Sequence, residues 1–281
     1  MKWGHKKVSG LKTLLASVLV CGALAAWQPD FLPMAKEVLV NRLFHYHTVE
    51  DRVGKYGGIV RERLAPYFEK AGVMWPAQRI TLVGLKDERL LEVWVEDRQR
   101  NMKLVRTYPI LGASGTSGPK LKEGDGQVPE GIYSIESLNP NSAFHLSLRI
   151  NYPNTFDRER AKEEGRECLG GDIMIHGNVV SAGCLAMGDE TAEDLFVMVA
   201  LAGSSNVEVV LSPCDLRAKR FQPPDNAPAW ISLLYQTLEI KLKNLNTPVS
   251  RGQGHREEHE LLLRQPTNKN SNPGRKHQNS G

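Results

Sequence analysis

"ITLVGLKDERLLEVWVEDRQ", residues 80–99, is where the chain changes its period. Upstream, "GGIVRERLAPYFEKAGV" (57–73) spaces its apolar residues at helical intervals, with Pro66 expected to bend or split the helix. From Ile80 the interval drops to two. The segment reads as two strands joined by the polar turn Lys86-Asp87-Glu88-Arg89. Leu91, Val93 and Val95 alternate with Glu92, Trp94 and Glu96, which predicts one buried and one wet face.

The β pattern continues outward. "KLVRTYPILG" (103–112) reads as a third strand. "GASGTSGPKLKEGDGQVPEG" (112–131) is too rich in glycine for regular structure over much of its length. "GIYSIESL" (131–138), "AFHLSLRI" (143–150) and "GGDIMIHG" (170–177) resume strand character, and "NVEVVLSP" (206–213) closes it. Between them "ETAEDLFVMVALAG" (190–203) reads as a helix, with Thr191 and Asp194 at capping-box spacing and Gly203 as its stop. "NAPAWISLLYQTLEIKLKNLN" (226–246) is an amphipathic helix with Ile231, Leu234 and Leu238 on its core-facing side. The fold class is therefore α+β, mainly β. A helical lead-in spans 27–77, a β-rich unit 78–214 and a C-terminal helical extension 215–246. The Asn-, Gly-, Arg- and Gln-rich residues 247–281 are expected to be disordered.

Composition narrows the function classes. The 281 residues carry 36 basic and 32 acidic side chains, a net charge of +4, too small an excess to argue for nucleic acid. Lys2, His5, Lys6, Lys7 and Lys12 precede the apolar run "LLASVLVCGALAA" (14–26), with Ala23-Leu24-Ala25 as a small-x-small cleavage signal. Residues 1–26 thus read as a secretory signal or an N-terminal membrane anchor, placing the protein in the periplasm or outside the cytoplasm. Val20, bulky where a lipoprotein signal carries a small residue, argues against lipidation of Cys21. The other cysteines are Cys168, Cys184 and Cys214. An odd number in an oxidising compartment leaves one unpaired, and a Cys168–Cys214 bridge would leave Cys184 free. The pairing stays open.

"GDIMIHGNVVSAGCLAMGDE" (171–190) holds the chemistry. His176 ends a strand beside Gly177, and Ser181, Gly183 and Cys184 follow within eight residues. A loop of this length folds the cysteine back toward the imidazole, so His176 can take the thiol proton. Gly183 lets the backbone turn, so that its N–H and that of Cys184 converge on an oxyanion. Ser181 is placed to bond the histidine or the substrate. The competing reading is a core strand with a satisfied histidine and Cys184 as a small buried hydrophobe. A metal would need His145 or Cys168 as further ligands. Their spacing fits no usual zinc pattern, so no metal and no cofactor is expected. His145 falls in an alternating strand and reads as structural. The chain has no C-x-x-C for redox work, and its histidine precedes its cysteine, the reverse of papain-like proteases.

"IHG" followed by S-x-G-C resembles the active-site signature of the L,D-transpeptidase (YkuD-type) family. A second block, "GDGQVPEGIYSI" (124–135), is similar to that family's Gly-Asp…Thr-Pro-x-Gly segment, with Val128 in place of threonine. The resemblance spans roughly 79–212. It implies a β-sandwich or barrel core with flanking helices, and a cysteine acyl-transfer enzyme acting on peptidoglycan stem peptides without a cofactor. Cys184 is then the nucleophile and His176 its base, with Ser181 and Gly183 completing the catalytic set. This sequence departs from the pattern in three ways: the His-to-Cys gap is short, Ala182 stands before Gly183, and "CLAMGDE" lacks an arginine that would meet a substrate carboxylate. The short gap, "GPKLKEGD" (118–125), "YPNTFDRERA" (152–161) and "CLAM" resemble the YafK-like subgroup, some of whose members hydrolyse, releasing a protein attached to peptidoglycan. The substrate-binding residues implied are Lys120, Tyr152, Asn154, Arg158 and Gly177, with Lys122, Arg160 and Asp157 nearby. In isolation "YPNTFDRE" reads as a Pro/Asn turn, and Gly118 and Gly124 as backbone-shaping residues. A non-catalytic peptidoglycan-binding module is the rival of another class.

Overall fold

The structure, a computed structural model, describes residues 46–223 and 227–245. The proposed signal or anchor 1–26, the start of the lead-in and the tail 247–281 lie outside the described residues. Among the described residues no helix is long and apolar enough to cross a membrane.

Helix α1 (Val49–Ala71) carries Pro66 inside it without a break. Tyr56, Val60, Leu64 and Phe68, spaced four apart, are its buried stripe. Buried packing on both sides of Pro66 outweighs the backbone bond the proline forgoes. The chain then runs through β1 (Ile80–Leu85), β2 (Leu90–Glu96), β3 (Met102–Pro109), β4 (Gly112–Ala113), β5 (Gly131–Asn139) and β6 (Ser147–Ile150). Helix α2 (Thr155–Glu163) precedes β7 (Met174–His176) and β8 (Leu185–Ala186). Helix α3 (Asp189–Ala202), a single 3₁₀ turn (Ser204–Asn206), β9 (Val207–Ser212) and helix α4 (Ala229–Asn244) complete the described elements.

The nine strands form one curled sheet in the order β3-β2-β1-β9-β5-β6-β7-β8-β4. The expected α+β, mainly β class is thus realised as a half-barrel with flanking helices. The last strand, β9, inserts between β1, to which it runs parallel, and β5, to which it runs antiparallel. At the other end β7 and β8 pair in parallel.

Several local readings give way to tertiary context. The outer face of β2 is not wet: Glu92 is 8% and Trp94 4% exposed. Trp94 joins Val83, Leu85 and Val210 in a cluster with Trp230, Ile231, Leu234 and Leu238 of α4. Glu92 accepts from Arg217 Nη2 at 2.7 Å and from Trp94 Nε1 at 2.8 Å. Alternation predicts which residues share a face, not which helix will later cover it. In α3, Gly188 is the N-cap residue and makes no side-chain cap bond. Asp194 is buried instead, bound by Arg63 at 2.7 Å and by the Tyr108 hydroxyl at 2.7 Å, which ties α1, β3 and α3 together. "YPNTFDRE" is not merely a turn. Asn154 caps α2 in a reciprocal box with Asp157. That helix is nearly all polar, so it shows little apolar period. His145 lies before β6 in a left-handed turn (φ 73°), with Nε2 3.0 Å from Glu193 and its ring edge-on to Tyr56. Cys168, Cys184 and Cys214 are all free thiols: Cys214 is buried in the α4 cluster, whereas Cys168 is exposed.

The docking of α4 supports a stability prediction. Leu238→Ala, at a fully buried position, is expected to cost about 2–5 kcal/mol in urea denaturation followed by tryptophan fluorescence. A loss under about 1 kcal/mol would mean that α4 does not unfold with the sheet.

Candidate active site

The register of the β7–β8 ladder arranges the reactive side chains. Ile175 pairs with Leu185 and His176 with Ala186. Ile175 and Leu185 are fully buried and face the core. Their neighbours therefore face the other way: His176 on β7 and Cys184, the residue before β8. The two stand on one face, diagonally across adjacent parallel strands.

The loop from His176 to Cys184 is pinned along its length. A Cβ on Gly177 would lie 2.6 Å from Asp189 Oδ1 and 2.7 Å from the Phe144 carbonyl, so only glycine fits there. Asp189 Oδ1 accepts the Asn178 N–H at 2.8 Å, and the Gly188 N–H donates to the Asn178 carbonyl at 2.9 Å. Gly183 turns with φ 94°. Ser181 Oγ accepts the Cys184 N–H at 3.1 Å and donates to the Cys184 carbonyl at 2.5 Å. Ser181 therefore shapes the cysteine turn and does not bond the histidine. The Gly183 N–H donates to Ser114 Oγ at 2.5 Å, and Ser114 Oγ donates to the Gly126 carbonyl at 2.7 Å. Both N–H groups expected to serve an oxyanion are thus held by serine hydroxyls.

The resting protonation pattern follows from the bonds. His176 Nδ1 lies 2.6 Å from the Gly177 carbonyl. A carbonyl only accepts, so Nδ1 carries the proton and Nε2 keeps its lone pair. Burial lowers the His176 pKa, and the bond to Gly177 opposes this. The Phe144 ring lies 4.7 Å from the imidazole, tilted by 31°. The Cys184 thiol donates to the Asp172 carbonyl at 3.6 Å. Burial raises the thiol pKa; a backbone bond from Met174 and the charge of Lys120 pull it down, and Asp172 pushes it up. In this conformation burial disfavours charge on both the thiol and the imidazole. Each of the two groups is bonded to a backbone carbonyl. Among the described residues no group of three or more His, Cys, Asp or Glu is placed to hold a metal ion.

Residues 78–211 match the profile of the L,D-transpeptidase catalytic domain called YkuD. That segment, just under half of the chain, is similar to the YkuD family. The chain is also 35% identical over 133 residues to an Escherichia coli (strain K12) protein named "Putative L,D-transpeptidase YafK", covering 46% of this chain and 51% of that one. The chain thus spans about half the length of that curated relative. Among solved structures it is similar to the helical cell shape determining protein Pgp2 of Campylobacter jejuni, with 20% identity, 57% of each chain covered and a TM-score of 0.41. Bd1075 of Bdellovibrio bacteriovorus aligns at 21% identity over 50% of each chain, with a TM-score of 0.37.

Within residues 78–211 the sequence-predicted substrate residues part company. Lys120 acts by its charge on the Cys184 thiol, but it is buried, with Nζ 2.6 Å from Asp125 Oδ1 and 2.9 Å from the Lys122 carbonyl. Tyr152 is buried, and its hydroxyl lies 3.3 Å from both the Lys120 and Leu169 carbonyls. Asn154 is spent on its cap and on the Ile132 carbonyl, which accepts from Nδ2 at 3.0 Å. Arg160 is buried and paired with Glu163 at 2.8 Å. Arg158 is exposed on α2, bonded to the Pro153 carbonyl, and borders a cavity of about 380 Å³ with Lys162, Arg166 and Cys168. No hydrogen bond or ion pair joins it to the thiol among the described residues.

Residues that sequence reasoning missed hold the Gly-rich loop in shape. Glu130 Oε1 accepts from the Gly118 N–H at 2.7 Å and from Lys86 Nζ at 2.9 Å, while Oε2 accepts from the Tyr235 hydroxyl of α4 at 2.7 Å. Asp125 accepts the N–H groups of Leu121, Lys122 and Gln127. Two carboxylates thus fold the Gly-rich loop that presents Ser114 and Lys120. Position alone marked them out only as acidic residues in a loop.

Asp157, the reciprocal partner in the α2 cap, gives a pH prediction. Burial raises its pKa to about 6, with its bonds to Asn154 and Tyr133 opposing. A raised carboxyl pKa means that the stabilisation is full below the unfolded value, near 3.8, and is lost as pH rises through about 6. Asp157→Asn, which keeps an acceptor for the Asn154 N–H, is expected to flatten this decline, worth about 2–3 kcal/mol between pH 4 and pH 7. Urea denaturation across that range checks it.

Proposed function

We propose that the YkuD domain transfers acyl groups of peptidoglycan stem peptides through a thioester on Cys184. The observation that carries this reading is the shared face of His176 and Cys184, with Nε2 left unprotonated by the bond from Nδ1–H to Gly177. The scheme requires the thiol to turn from the Asp172 carbonyl toward Nε2. His176 takes the proton as Sγ attacks the carbonyl carbon of an L-centred residue, diaminopimelate in family substrates. The tetrahedral oxygen needs donors, and the Gly183 and Cys184 N–H groups supply them once Ser114 and Ser181 turn aside. Collapse breaks the amide C–N bond, and the leaving amine departs with the proton from His176. A second amine or water then attacks the thioester, giving a cross-link or a hydrolysed stem, and the thiol regains its proton. The energy of the first amide stays in the thioester, so no nucleotide is consumed.

A neutral resting thiol inside a partly buried site protects the nucleophile from stray alkylation and oxidation. Lys120 biases the thiol toward its anion without binding it. We place this chemistry outside the cytoplasm, on the signal or anchor read in residues 1–26. A wall-attached protein is a further acyl donor consistent with the hydrolytic branch. No nucleic acid enters the scheme.

The test is incubation of the purified chain with intact sacculi and with disaccharide tetrapeptide, followed by mass spectrometry. The wild type is expected to form 3–3 cross-links, or to release tripeptide or attached protein. Cys184→Ser is expected to lose at least about 10³-fold in rate and His176→Ala about 10²–10⁴-fold. Identical products from Cys184→Ser and wild type would remove the thioester from the reaction and leave a binding module.

His176 must be neutral to accept the proton, and burial holds its pKa below the ordinary histidine value. The acid limb of kcat/KM is accordingly expected below pH 6.5, read from a rate profile between pH 5 and 8.

A further inference from the structure

Ser147 opens β6 directly opposite His176 in the antiparallel β6–β7 ladder. The Gly177 N–H donates to the Leu146 carbonyl and the Ile150 N–H to the Ile173 carbonyl. Ladder bonds alternate, so the Ser147–His176 pair falls between them. In such pairs the Cα atoms are about 4.5 Å apart and the side chains lean on each other. Ser147 is 0% exposed, and its Oγ has no hydrogen-bond partner. A buried hydroxyl left unsatisfied costs a fold about 1–3 kcal/mol, which an alanine there would not. The packing thus places an unused polar atom beside the ring that the reaction must charge.

The other groups around the imidazole do not fill that role. Ala186 flanks it on β8, and Phe144 covers one ring face. From the adjoining turn, His145 is committed to Glu193 of α3. At the start of α3, Asp189 Oδ1 is committed to the Asn178 N–H. Two residues along β6, Arg149 pairs with Asp172 at 2.7 Å. Cys184 bonds Asp172, and Lys120 of the Gly-rich loop acts on the thiol. Against His176 itself the structure sets burial and one carbonyl.

We propose that Ser147 is a positioning residue for His176, its hydroxyl supplying hydrogen-bonding capacity that the imidazolium draws on while it carries the thiol proton. This rests on the reading of His176 as the base. At rest the neutral ring satisfies Nδ1–H on Gly177, and Oγ waits. When Nε2 gains a proton, a second N–H and a full positive charge appear inside a buried slot. The serine oxygen is the neutral dipole at hand to meet them, and it releases them when the proton passes to the leaving amine. No bond to Ser147 forms or breaks in the reaction.

A group kept for function and one kept for folding behave oppositely on removal. In the full chain Ser147→Ala is expected to leave the melting temperature unchanged or raised. Turnover on disaccharide tetrapeptide falls about 5- to 10-fold in kcat with KM unchanged, the loss of roughly one hydrogen bond. The His176 titration midpoint, followed by ring-nitrogen NMR without substrate, moves to lower pH. Ser147→Cys, similar in shape but a weaker acceptor, falls between wild type and alanine in both readouts. An unchanged midpoint together with unchanged kcat overturns the proposal. So does a melting temperature that falls in step with activity, which marks a structural role. The NMR midpoint needs no catalysis. A Cys184→Ser chain that still turns over would therefore sink the thioester reading without touching the Ser147 result.

Discussion

The site depends on one ladder. Ile175 and Leu185 are paired across parallel strands and sealed in the core. Because side chains alternate along a strand, burying these two commits His176 and Cys184 to the opposite face. A slip of one residue in either strand would send one of the pair inward and dismantle the site. The short loop between them tolerates this geometry because Gly177 removes a side chain that Asp189 and Phe144 would block, and Gly183 turns where other residues strain.

Around that ladder the protein holds the Cys184 turn from behind. The Gly-rich loop has little regular structure, yet Asp125 and Glu130 gather its N–H groups as a helix or sheet would. Ser114 of the loop then bonds the cysteine turn, and Lys120 acts on the thiol by its charge. Glu130 also reaches Tyr235 of α4, beyond the 78–211 segment that matches the YkuD profile. The C-terminal helix thereby shares in holding the loop.

The electrostatics describe a site at rest. Burial disfavours charge on both the thiol and the imidazole, and each is bonded to a backbone carbonyl. Separating charge here, as the proposed reaction requires, costs energy that a bound substrate would offset by excluding water and orienting the carbonyl. Lys120, held by Asp125, contributes a fixed bias toward the thiolate and has little freedom left to seize a ligand.

Much of this was legible in the residues. The period change at Ile80, the strand ending at His176, the helix through Leu195 and the order His-Ser-Gly-Cys are local patterns, and local backbone preference produces them. What local pattern omits is cover and partnership. Glu92 and Trp94 look solvated until α4 and Arg217 arrive, and Asp194 resembles a cap residue until Arg63 and Tyr108 claim it. Tyr152 and Asn154 resemble ligand residues until they are found bracing a loop and capping α2. Ser147 is one polar position among strand residues, and only the register of β6 against β7 sets it beside the imidazole. The sequence by itself determined which chemical groups exist and which strands and helices carry them, because those follow from short-range periodicity. The tertiary structure alone decided which groups are spent on the scaffold and which remain for chemistry, because a hydrogen bond can be allotted only once both partners have a place.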